Sequence, residues 1–377
     1  MIEMEFLLFC ILLLSATIST AAERGTAFTS FSLPKHEDPF HALSGHFIGA
    51  DGQLCIVGST FIDSEARSYG TILLLDVNRK KTLWEKTIKP VEGDRDLRFK
   101  ACMQQGNHLY VSANSTIYNV NQSYASIFKF DLQGKKIKSA SLEIPGDQAF
   151  VLATGMVDKQ MMAVGASQEI DEKLGMELFS VFLSKFDESL KFSNKLIKKG
   201  GFHNGTRMRI LESGVVVGGD FFQQKVKIGE GDVNDYANSK ISFNGNYVWS
   251  NRPQPPKVND VASAISDSGE VSSLSGSKNK SYLRTLDAAG KLAFKSDFDS
   301  KYCQTDQLVR EGDFLYALRR VCDSTERKLT LLEIDVKSGK EREIKTLKHA
   351  PERVFFNQGH MFVLTKNSDG NLVIEFD

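Results

Sequence analysis

Residues 127–135 read Ile127, Phe128, Lys129, Phe130, Asp131, Leu132, Gln133, Gly134 and Lys135. Phe128 and Phe130 alternate with Lys129 as on a strand, and Gln133, Gly134 and Lys135 suit a tight turn with positive φ. Asp131 stands between them, where a carboxylate can accept backbone N–H bonds of the turn, so it is a turn residue rather than a catalytic one. The phrase recurs as Leu73, Leu75, Asp76; Leu183, Phe186, Asp187; Leu286, Asp287; Leu332, Ile334, Asp335; and Ile374, Phe376, Asp377, with a weaker copy at Phe243, Asn244, Gly245. Asp76 and Asp377 are six intervals apart, which is about 50 residues per repeat and excludes the helical arrays with periods of about 33 to 34.

Upstream of each copy lies a second phrase, a turn followed by a strand apolar on both faces, as at 52–57, 106–111, 159–164, 214–217, 269–274, 312–318 and 359–364. Such a strand belongs in the middle of a sheet covered on both sides. With a strand before it and an outer strand after the Asp turn, each repeat makes four antiparallel strands, and no window shows capped 3.6-residue periodicity. The last copy lacks an outer strand, and residues 25–33 alternate as a strand with no other place. The expectation is therefore an all-β, seven-bladed β-propeller with four strands per blade, its last blade closed by the N-terminal strand, in a single domain over 23–377. The repeats resemble those of the secreted propellers built from SBBP-type β-propeller repeats, best at Ile127, Phe128, Lys129, Phe130, Asp131, Gly134 and Lys135, then at Ser184, Lys185, Phe186 and Asp187. The resemblance implies a fold and no shared catalytic residues.

Residues 1–22 read as a signal peptide: Phe6 to Leu14 are apolar but too few to span a bilayer, and Ser19, Thr20, Ala21 and Ala22 supply small residues for cleavage. Secretion agrees with four cysteines in the mature chain, Cys55, Cys102, Cys303 and Cys322, and with sequons at Asn114, Asn121, Asn204 and Asn279. Cys303 and Cys322 are symmetric about the turn at Gly312 and Asp313 and are expected to pair, while Cys55 and Cys102 either pair across neighbouring blades or stay as buried thiols. Forty-seven basic residues balance forty-seven acidic ones, which argues against nucleic acid or an anionic membrane as partner.

The loops from the second to the third strand are expected to be long, at 59–70, 112–125, 166–177 and 219–238, on the same face as the crossovers between blades, and long loops on a rigid ring carry binding residues. Near the channel mouth on that face stand Arg98, Arg207, Arg209, Asp260, Asp306 and Arg353, a mixed ring in which Arg forks could donate to a carboxylate or phosphate. The alternative is that these residues are water-exposed and paired with one another. His36, His41 and His46 lack metal-ligand spacing. Glu230, Asp232, Asn234 and Asp235 offer oxygen ligands for calcium without the EF-hand pattern. No nucleophile elbow is present, and Ser266, Asp267, Ser268 and Gly269 are not followed by the Thr and Trp of a sialidase Asp box. The reading is a monomeric, secreted, non-catalytic propeller without cofactor that binds an extracellular protein or glycan. A hydrolase or lyase with either a calcium or an acid–base site at the central channel is the competing reading.

Overall fold

The computed structural model describes residues 29–33, 38–49, 52–117, 122–171, 176–199, 207–221, 226–227, 235–251, 261–277, 279–322, 329–347, 353–357, 360–367 and 371–376. The leader, Asn121, Asn204, Glu230, Asp232, Asn234 and Asp260 lie outside them, and Asp235 is described by its backbone alone. Apart from one 3-10 turn at Asp63–Glu65, every regular element among the described residues is a β-strand.

The strands form up-and-down antiparallel sheets. Tyr302–Glu311, Phe314–Val321, Leu329–Asp335 and Glu341–Leu347 make one four-stranded sheet, and the segments from Arg207 to Asn251 and from Val261 to Asp299 make two more. A thirteen-stranded sheet consists of three such meanders, opening with Phe40–Ile48, Asp94–Gln105 and Gln148–Val157. Single parallel pairs, Ser68 with Asp96 and Ser123 with Gln148, join them, and Val226–Lys227 adds to its edge. In the last sheet, Thr29–Ser32 pairs with Leu372–Phe376, Ser30 facing Glu375 and Phe31 facing Ile374. The Leu33 amide continues that ladder to the Leu372 carbonyl at 2.8 Å. The expected union of the two ends of the chain is thus present over the described residues.

Alternation along each central strand sends successive side chains to two different cores. Leu54 and Ile56 pack with Phe355, Phe362, Leu364 and Ile374 of the last sheet, while Cys55 and Val57 pack with Phe99, Val111 and Phe130 of the next meander. All four residues from Leu54 to Val57 are wholly buried, and each fully buried aliphatic side chain contributes about 1.5–3 kcal/mol. The opening strands touch in chain order: Phe40–Ile48, Asp94–Gln105, Gln148–Val157, Arg207–Leu211, Val261–Ile265, Tyr302–Glu311 and Arg353–Asn357, the last of which touches the first.

The Asp turns have the geometry expected of them. Asp131 Oδ1 accepts the amides of Gln133 at 3.0 Å and Lys135 at 2.7 Å, and Asp287 repeats this with Ala289 and Lys291. Gly134 and Gly290 complete these turns at φ of 83° and 78°. The outer-strand tryptophans of the preceding meanders lie across them: Trp84 Nε1 donates to the Leu132 carbonyl at 2.8 Å, and Trp249 Nε1 to Ala288 at 3.0 Å.

Three expectations are corrected. The strands run further into the loops than their residue types suggest: Gln53–Ile62 and Arg67–Asp76 leave four residues between them where 59–70 was expected as loop. Asn114 therefore lies inside strand His108–Ile117, 7% exposed, with Oδ1 accepting the Val151 amide at 2.9 Å and Nδ2 donating to the Val151 carbonyl, so the folded chain has no place for a glycan there. Asn279, by contrast, is exposed in a turn. Finally, Cys55 is bridged to Cys102, with Cα atoms 6.7 Å apart, whereas Cys303 and Cys322 are thiols. Two β-bulges upset the symmetry on which the second pair relied: the register slips between Tyr302 and Gln304 and again between Thr305 and Gln307, so Cys303 is the bulged residue and Cys322 bonds opposite Lys301.

Candidate functional site: a cationic cavity on the inner strands

The same bulges shape the centre of the molecule. Four opening strands carry one at an equivalent place, leaving Leu43, Lys100, Leu152 and Asp306 outside the pairing of their strands. A bulge re-aims its side chain without ending the strand, and three of these residues, Leu43, Lys100 and Leu152, line one cavity of about 520 Å3.

Basic groups converge on this cavity. Lys100 is joined by Arg207, Arg209 and Arg353, with Ser44 and His46 on the same wall, and none of the described lining residues is acidic. Arg207 and Arg353 open their strands, on the side where the crossovers enter. Arg353 Nε is held by the Leu43 carbonyl at 2.8 Å, and Arg209 is anchored by the Ile265 carbonyl at 3.1 Å and by an ion pair with Asp267. Among the described residues neither Lys100 nor Arg207 has an ion-pair partner. Burial pushes the Lys100 ammonium below its ordinary value, and the positive charges of Arg98, Arg353 and Arg207 push it further the same way. Crowding by protein also holds Arg207 below the usual guanidinium range, although its side chain meets water inside the cavity. His46, similarly enclosed, is lowered to about 4 by desolvation; it shares a hydrogen bond with Ser44 Oγ at 2.5 Å and is neutral at physiological pH. The arrangement is a ring of donors and positive charge held apart by fixed backbone, which suits an anionic ligand.

Of the six residues picked from the sequence, Arg207, Arg209 and Arg353 meet in this cavity. Arg98 lies close enough to act on Lys100 but turns its guanidinium to Asp96, at 3.3 Å. Asp306 is gripped by both Nε and Nη2 of Arg320 and lines a neighbouring cavity. Lys100 and Ser44 were missed, and His46 drew notice only for its spacing from His36 and His41. Lys100 sits between Phe99 and Ala101 in an otherwise ordinary strand, and the bulge that turns it inward depends on the partner strand. A larger hollow, about 670 Å3, lies between Asn279, Tyr302 and Glu341, but its one described lining cation, Lys301, is taken up by Glu343 at 2.6 Å, and Glu341 by the buried Arg319 at 2.8 Å.

No family model and no curated protein matches the chain. Similar solved structures include the Dos1 propeller, at 10% identity and a TM-score of 0.52 over 92% of this chain and 94% of that one. The β-propeller domain of the Trilobed protease from Pyrococcus furiosus is similar at 9% identity and 0.52, over 91% and 95% of the two chains, and is described as having an open velcro topology, in contrast to the paired ends seen here. The polysaccharide lyase Uly1 matches at 8% identity and 0.52, over 95% and 94%. At such identities the likeness carries the fold, which is that of a β-propeller.

Proposed function

We propose that this chain is a secreted, single-domain propeller of seven four-stranded blades over 23–377 that captures the anionic group of an extracellular partner in its central cavity, without catalysis. The count is supported by the ordered contacts of the opening strands and by the pairing of the two chain ends. The SBBP-type resemblance belongs to the same reading. The observation that carries the binding function is the meeting of Lys100, Arg207, Arg209 and Arg353 around one hollow with no described acid among them. A repulsive cluster of this kind is relieved by a ligand of opposite charge, and its fixed arms are organised before the ligand arrives. The Cys55–Cys102 bridge supports an oxidising compartment.

The double variant Arg207→Gln, Arg353→Gln is expected to weaken capture of an anionic partner at least about tenfold, and raised salt is expected to weaken the wild type in the same direction. Calorimetric titration checks both; unchanged affinity in the double variant would remove this site. A lyase reading is favoured by one observation: the His46 imidazole lines the same wall as the cations, where a proton acceptor beside a held carboxylate belongs. Turnover of a uronate polysaccharide that is lost in His46→Gln would establish it.

A further inference from the structure

Beside the cationic cavity lies a smaller one, of about 150 Å3, and Arg207 lines both. Its other walls come from Gly218 and Gly219, from Val261 to Ser263 and from Thr305 to Leu308. The two differ in chemistry. In the small cavity Asp306 is neutralised by Arg320, and both ends of the Gln307 amide are engaged by the backbone of Val354 at 3.0 Å. One polar group of the wall is left over. Thr305 Oγ1, on a residue 8% exposed, has no hydrogen-bond partner among the described residues. Buried polar groups are nearly always satisfied, so an orphan hydroxyl on the wall of a polar hollow marks a place where a ligand completes the bonding. A hydroxyl of Thr can donate or accept, so it is met by a ligand hydroxyl group.

We infer that the central channel binds an acidic sugar: its carboxylate or sulfate sits among Arg207, Arg209, Arg353 and Lys100, and its ring hydroxyls reach into the small cavity toward Thr305. Arg207, shared by the two hollows, spans the distance between the acid group and the ring. This rests on the anion-binding reading above and narrows its ligand class to a saccharide.

The test is calorimetric titration of the full chain with D-glucuronate, acetate, D-glucose and a short poly-aspartate peptide, repeated with Thr305→Val and Thr305→Ser. The expected results are that glucuronate binds more tightly than acetate, glucose or the peptide, that Thr305→Val weakens glucuronate about tenfold while leaving acetate unchanged, and that Thr305→Ser restores it. Thr305→Val removes an unbonded buried hydroxyl and keeps the shape of the side chain, so a melting temperature at or above that of the wild type shows that folding is intact. Equal affinity for glucuronate and acetate, an unaltered glucuronate affinity in Thr305→Val, or preference for the peptide overturns the inference while the anion site stands. Absence of binding by every anion overturns both.

Discussion

Lys100 shows how a single side chain can be unfavourable to the fold and useful to the site. Its neighbours Phe99 and Ala101 are buried in ladder positions, and the bulge leaves the lysine in an enclosed place where burial first, and then the charges of Arg98, Arg353 and Arg207, depress its ammonium. Because the folded state binds that proton less readily than the unfolded chain, the stability deficit is full below the folded value and is recovered as pH climbs toward the ordinary lysine range. Lys100→Met is expected to raise stability at neutral pH and to weaken anion binding in the same protein. A urea titration and a calorimetric titration, run side by side, check the two signs; a Met variant that is both less stable and unaffected in binding would deny Lys100 its place in the site.

The turns offer a comparison within one family of elements. Gly134 holds φ of 83°, and a Cβ there would lie 2.7 Å from the Trp84 ring; Gly312 holds φ of 57° with nothing within 4 Å. Both pay for a side chain in a left-handed backbone, but only the first also displaces a packed indole whose nitrogen is bonded to Leu132. Gly134→Ala should therefore cost about 2–3 kcal/mol and Gly312→Ala about 1 kcal/mol, measured by chemical denaturation. Equal losses would mean that the Trp84 contact contributes little. These turns were legible from residue types because the Asp, its acceptor oxygen and the amides it serves lie within four residues of one another. Strand limits were less legible: Asn114, Ser115 and Thr116 look like loop residues and are strand residues, since the ladder to Ser123–Asp131 satisfies their backbone whatever their side chains prefer.

For the molecule as a whole, stability depends on joining distant segments. Leu33 is buried in the core that also holds Phe40, Leu54 and Ile374, so deleting residues up to Leu33 exposes an edge strand and empties part of that core. A loss of at least about 3 kcal/mol and increased self-association are expected, seen as a lower melting temperature and a larger hydrodynamic radius. A truncated chain as stable and monodisperse as the full one would show that the end pairing is not a closure. Residue patterns alone determined that the chain is built of strands, where its Asp turns fall and that its ends should meet, because period-two alternation and turn chemistry act over a few residues. Only the tertiary structure decided which cysteines join and which cations share a cavity. Those choices depend on bulges and on strands as far apart in the chain as Ser44 and Arg353, and register between such segments is set by packing rather than by local preference.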